Sequence, residues 1–102
     1  MSEFSVPATF TIDPEENCTD IVFGTAERTP DKTVFLDKRG GQWTPISASE
    51  VAARVTALAK GLIASGVAPG DRVAILCRTR LEWTLVDFAI WAAGAVSVPI
   101  YD

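Results

Sequence analysis

The chain has 102 residues, enough for one domain that buries roughly two thirds of the surface its unfolded form exposes, and a second domain is not expected. Apolar residues make up 48% and charged residues 22%, which excludes a disordered chain. Nine basic against thirteen acidic residues give a net charge of -4 with no stripe of Lys or Arg to neutralise phosphates, which excludes nucleic acid as a partner.

Residues 1–16 mix Pro, Ser, Thr and acids without periodicity, and residues 1–18 are expected to form an extended N-terminal arm. Met1 to Phe10 carries Glu3 and no basic residue, so it lacks the charged start of a secretory signal. With nothing to export the chain, Asn17-Cys18-Thr19 reads as an accidental glycosylation triplet. Cys18 and Cys77 read as reduced thiols in a cytoplasmic setting, because neither has the spacing of a metal site or redox pair.

Thr19 or Asp20 can cap a short helix over Ile21 to Arg28, which Pro30 stops. Two strand-like runs come next, Thr33 to Lys38 and Gln42 to Ile46, joined by the turn residues Arg39-Gly40-Gly41 as a β-hairpin. Pro45 places the second strand at an edge. Ser47 and Glu50 form a capping box for an amphipathic helix that ends at Gly66, with Val51, Val55, Leu58, Ala59, Leu62 and Ile63 on one face.

The turn Ala68-Pro69-Gly70-Asp71 leads into Arg72 to Cys77, a continuous apolar run expected to be covered on both faces. Thr79 and Glu82 make a second capping box, the helix they open runs to about Gly94, and Ala95 to Ile100 is a further strand. Strand, helix and strand with short links predict a βαβ unit with parallel strands and a right-handed crossover. The fold class is α/β.

Apolar side chains from Leu81 to Ala92 cover almost the whole circumference of the second long helix, so it is expected to be buried all round. Leaving two of its large side chains in water would forgo about 1.5 to 3 kcal/mol each, which implies covering neighbours outside the chain. Asp102 comes directly after a strand, where a doubly wound sheet would continue, and the chain is expected to be the truncated opening segment of a larger α/β enzyme. The apolar stretch from Trp83 to Ile100 is near the minimum length of a membrane span, but Asp87, Gly94 and Pro99 interrupt it, so no transmembrane segment is expected.

The chain contains no histidine, which removes Ser-His-Asp and Cys-His catalysis and the commonest metal ligand. Asp13, Glu15 and Glu16 read as a solvated acidic cluster, and Cys77 as a small core residue rather than a nucleophile. Gly61, Gly66 and Gly70 match neither a P-loop nor a dinucleotide fingerprint, and read as a packing contact, a helix cap and a turn. Arg78, Thr79, Arg80, Glu82 and Trp83 lie where ligands of open parallel sheets bind, beyond a strand's carboxyl end. Helix capping and burial account for them more simply.

In their order and spacing, several segments resemble the N-terminal part of the adenylate-forming superfamily over about Asp20 to Tyr101. They are Thr44 to Ile46 before a long helix, Ala59-Lys60-Gly61-Leu62, Gly66 through Leu76, Arg80-Leu81-Glu82-Trp83 and Ala93 through Tyr101. The ending Val98-Pro99-Ile100-Tyr101 is similar to bacterial long-chain fatty-acid CoA ligases, whereas aryl and short-chain members often carry Asn-Pro near that point. Thr79 stands where the family often has Asn, and both residues cap helices.

The resemblance implies a parent enzyme that uses ATP and magnesium to form an acyl-adenylate and then coenzyme A to form a thioester. It also implies that residues 19–102 are part of an N-terminal α/β subdomain. The phosphate loop, acyl pocket and catalytic lysine of such enzymes lie downstream, so no catalytic, cofactor-binding or metal-binding residue is assigned here, Lys38 and Lys60 included. The expected partner is the remainder of the ligase chain. An interaction module that self-associates or docks through its apolar surface is the alternative from another class, and a segment of another adenylate-forming enzyme, an aryl or short-chain acid CoA ligase, is the second alternative.

Overall fold

A computed structural model describes residues 2–101, so Met1 and Asp102, the outer ends of the expected arm and subdomain, lie outside the described residues. The elements are α1 (Thr19–Arg28), β1 (Thr33–Arg39), β2 (Gln42–Ser47), α2 (Ala48–Ala64), β3 (Arg72–Ile75), α3 (Leu81–Ala92) and β4 (Val96–Pro99). They form an antiparallel hairpin, β1–β2, and a parallel pair, β3–β4, with the helices between and beside them. This is the α/β arrangement expected, a hairpin followed by a helix and a βαβ unit.

The hairpin turns at Gly40 and Gly41, whose φ values of 56° and 79° suit the mirror-image turns that match strand twist. Arg39 pairs with Gln42 and Leu36 with Pro45, and the register shifts between Thr33 and Phe35. This bulge turns both Val34 and Phe35 toward the core, where strict alternation would send one of them to solvent. Leu36 and Trp43 are left on the outer side, with the Lys38 ammonium over the Trp43 ring.

α1 starts earlier than expected, and its capping differs. Cys18 takes the N-cap position without a side-chain bond. The Asn17 side-chain oxygen instead accepts from the Thr19 N–H at 3.0 Å, and Asp20 reaches back to the Asn17 N–H at 2.9 Å. At α2, Ser47 accepts from the Glu50 N–H at 3.2 Å, which is the forward half of the predicted box. At α3 the predicted Thr79–Glu82 box does not form. Arg80 occupies the N-cap, and the Glu82 carboxylate turns outward to its guanidinium at 2.7 Å, an ionic partner that outcompetes a backbone N–H.

Both long helices end in the same way. Val67 donates to the Leu62 carbonyl and Gly66 to Ile63 after α2, while Ala95 donates to Ile90 and Gly94 to Trp91 after α3. These are Schellman caps, and their glycines take φ values of 104° and 78°. The turn after α2 is tied to the turn after α3 by Gly70 N–H to the Gly94 carbonyl at 2.8 Å and Val96 N–H to Asp71 at 2.7 Å. Those bonds set β3 and β4 in parallel register, with Arg72 opposite Val96 and Ile75 opposite Pro99.

α3 is the middle layer. Leu85, Ala89 and Ala93 pack with Val51, Val55 and Ala59 of α2, Ile46 of the hairpin and Val22 of α1. Ile90 packs on the other side with Ile75 and Ala95, flanked by Trp83 and Val86. The expectation of all-round burial is thus only partly met: most of α3 is buried or half-buried, but Trp91 remains 38% exposed. On α2, Leu58 and Ile63 are exposed as well, because they flank the stripe centred on Val51, Val55 and Ala59.

β3 is shorter than predicted and covered on one face only. Ile75 is buried by α3, whereas Ala74, Leu76 and Cys77 are exposed, so Cys77 is not the core residue expected. Residues 2–18 form neither helix nor strand, and every one of them is exposed. Their reading as aperiodic also needs correction: Phe4, Val6, Ala8, Phe10 and Ile12 alternate with Ser5, Pro7, Thr9 and Thr11.

Candidate functional site

In a parallel βαβ unit both strands deliver their carboxyl ends to the same side, and the loops there are free to hold a ligand. A cavity of about 400 Å³ lies at that side, lined by Cys77, Arg78, Thr79, Trp83, Thr84, Pro99, Ile100 and Tyr101. β3 supplies its first wall because the chain leaves the ladder after Ile75, whose carbonyl accepts from the Ile100 N–H at 2.9 Å. The first turn of α3 supplies Trp83 and Thr84, and the exit of β4 supplies the third wall.

Of the five residues singled out from the sequence, Arg78, Thr79 and Trp83 line this cavity and Arg80 and Glu82 do not. Sequence reasoning missed Thr84 and the Pro99–Tyr101 wall. The signal was available: parallel pairing of the two predicted strands requires the residues after β4 to stand beside those after β3.

The electrostatics are those of a surface pair. The hydrogen bond from Arg80, with a smaller contribution from the backbone, holds the Glu82 carboxyl below its ordinary range, and the same bond pushes the Arg80 guanidinium up. Both side chains are well exposed, so the pair fixes local geometry and adds little stability. Cys77 donates its thiol to the Arg78 carbonyl at 3.0 Å. This half-apolar wall with the Arg78 guanidinium can contact a ligand, and no carboxylate or lysine is among its described lining residues.

A larger open cleft, about 750 Å³, lies between the start of α1, α2 and the end of α3. It is lined by Asn17, Cys18, Phe23, Thr56, Lys60, Ile63 and Trp91 among others. Lys60 is on its rim and exposed, and Lys38 lies far off on the hairpin, over Trp43. Asp13, Glu15 and Glu16 form a solvent-facing turn, with Asp13 accepting from the Glu15 and Glu16 N–H groups. Among the described residues no three His, Cys, Asp or Glu side chains gather into a possible metal site, and no helix is long and apolar enough to cross a membrane.

Comparison with known proteins adds what this geometry lacks. A family model described as AMP-binding enzyme matches residues 22–102. The long-chain-fatty-acid–CoA ligase FadD15 of Mycobacterium bovis is 45% identical over 102 residues, which is 100% of this chain and 17% of that protein. The fatty acid AMP ligase of Legionella pneumophila superposes with a TM-score of 0.75 at 28% identity, covering 81% of this chain and 14% of that one. The N-terminal subdomain of Klebsiella oxytoca NpsA, solved with 3-hydroxybenzoyl-AMSN, gives a TM-score of 0.73 at 29% identity over 81% of this chain and 20% of its own. The chain therefore spans a small part of the relatives it matches.

Proposed function

The chain belongs to the AMP-binding enzyme family, and from that membership we propose that it is the N-terminal portion of a cytoplasmic long-chain fatty-acid–CoA ligase. The observation that carries this reading is the 45% identity to FadD15, which runs over the whole chain. The parent would join a fatty acid to AMP at the expense of ATP, with magnesium, and then pass the acyl group to coenzyme A.

Within that enzyme the present residues would build and not react. Residues 1–18 would form an arm, and residues 19–102 would supply two parallel strands, the helix that covers them and the hairpin that braces it. No residue is assigned to catalysis, cofactor or metal.

The test is pyrophosphate release by the 102-residue chain, given ATP, magnesium and a long-chain fatty acid, with ATP binding followed by calorimetry. Neither release nor binding is expected from this chain, while the longer protein should release pyrophosphate in step with acyl-CoA formation. Saturable release by the short chain would overturn the scaffolding role.

A second reading, a self-associating module, is favoured by one observation: Leu76, Val96, Val98 and Ile100 are all exposed around the β3–β4 pair. Sedimentation equilibrium separates the two readings, because only the module requires a dimer of defined affinity.

A further inference from the structure

The residues before α1 carry a pattern that neither the fold nor the site uses. From Phe4 to Ile12 every even position is apolar and every odd one is Ser, Pro or Thr, the period of a strand with one face buried. Yet Phe4 is 91% exposed, and Val6, Phe10 and Ile12 are 70 to 71% exposed. The segment forms neither helix nor strand, bends at Thr9 and Phe10, and has no ladder partner among the described residues.

We infer that Phe4–Ile12 is an edge strand whose partner is a sheet in the remainder of the longer chain, with its even-numbered side chains laid on that sheet's apolar face. The inference rests on the reading of this chain as the N-terminal portion of a longer ligase.

Length argues for that occupant over a second copy of these residues. Nine extended residues reach about 30 Å, whereas the four-residue strands β3 and β4 each offer about 13 Å of edge. β2 carries Pro45, which lacks the N–H of a full edge, and β1 ends in Asp37-Lys38-Arg39, which offer no apolar face. The FadD15 match includes this segment, whereas the family model begins at residue 22. The partner sheet is accordingly expected in the part of the longer chain these residues do not include.

Pro7 fixes which edge is used. Along a strand the N–H groups alternate in direction, so Pro7 and the other odd positions share one edge and the even positions the other. A proline in a strand must face its missing N–H away from the ladder. The even-numbered N–H groups therefore make the hydrogen bonds, on the same residues whose side chains are apolar. Pairing straightens the bend at Thr9 and Phe10.

The experiment is residue-resolved hydrogen exchange on the full-length protein, at two concentrations about tenfold apart, with fatty-acid-dependent AMP formation measured on the same sample. The amides of Val6, Ala8, Phe10 and Ile12 should exchange at least about tenfold more slowly than those of Ser5, Thr9 and Thr11, at both concentrations. Ala8→Pro should abolish the protection and Thr9→Pro should retain it. Uniformly fast exchange, or equal tolerance of the two prolines, overturns the strand. Protection that appears only at the higher concentration assigns the partner to a second copy and overturns the inference as stated. Protection in a protein that forms no acyl-AMP would leave the strand standing and sink the proposed activity, so the two failures are separable.

Discussion

The two sides of α3 have unequal surroundings. Toward α2 it meets a cluster to which all three helices and the hairpin contribute, with Val55 and Ala89 at 0% exposure. Toward β3–β4 its Ile90 meets two further buried residues, Ile75 of β3 and Ala95 just before β4, and beyond that two-stranded sheet Leu76 is 71% exposed. One side is finished by this chain's own residues. The other is half of a layer, and the same local rules produced both. The difference teaches that α3 has apolar residues all round because it sits between two layers, of which these residues complete only one.

The largest expected effect breaks the finished side. Leu85 is 1% exposed within the α2 cluster, so Leu85→Ala removes its packing and leaves a cavity that the surrounding helices and hairpin cannot close. A loss of about 2–5 kcal/mol is expected, read as a lower urea midpoint. A loss under about 1 kcal/mol would mean that this cluster is as loosely filled as the sheet side.

The next effect falls on the seam between the sides. Gly94 holds φ at 78° and its carbonyl receives the Gly70 N–H, while a Cβ would meet Pro69 at an ordinary 3.5 Å. Gly94→Ala is therefore strained by backbone conformation and not by crowding, and should cost about 1–2 kcal/mol in the same measurement. Gly61, helical and with open space around its Cβ position, is the control: Gly61→Ala should stabilise by about 0.5–1 kcal/mol.

Much of this division was legible in the residues. The hairpin, the two long helices and the parallel unit can be read from Gly40-Gly41, the Val51–Val55–Ala59 spacing and the two Gly caps at 66 and 94. Anything that depends on a neighbour could not be read. Cys77 and Leu76 end an apolar run, and pattern alone treats such a run as covered on both faces. Thr79 and Glu82 have the spacing of a capping box, but Arg80 between them offers the carboxylate a charged partner instead. The site suffered in the same way, because Pro99–Tyr101 joins it only through pairing between distant strands. The alternation from Phe4 to Ile12 was present in the sequence but was passed over, because Pro7 within it reads as a loop signal.

A smaller effect concerns the exposed Arg80–Glu82 pair at the start of α3. Because the folded pKa of Glu82 lies below its unfolded value of 4.5, the pair contributes stability above that pH and loses it as pH falls through the folded value. Glu82→Gln should therefore lower Tm slightly at about pH 7, and the difference should shrink as the pH is taken progressively below 4.5. A gap that widens on acidification would show that Glu82 acts through something other than its charge.

The smallest expected effect is the most telling for the comparison. Leu76→Ser replaces an exposed apolar side chain at the end of β3, so the 102-residue chain should unfold within about 0.5 kcal/mol of the parent sequence. In the longer protein the same substitution meets whatever completes the layer, and burial of that leucine is worth about 1.5–3 kcal/mol. Equal urea midpoints in the short chain and a lowered one in the long chain locate the missing half of the layer on this face. Equal midpoints in both would mean that the outer face of β3–β4 stays in water, and that α3 owes its all-round apolar sequence to some other contact.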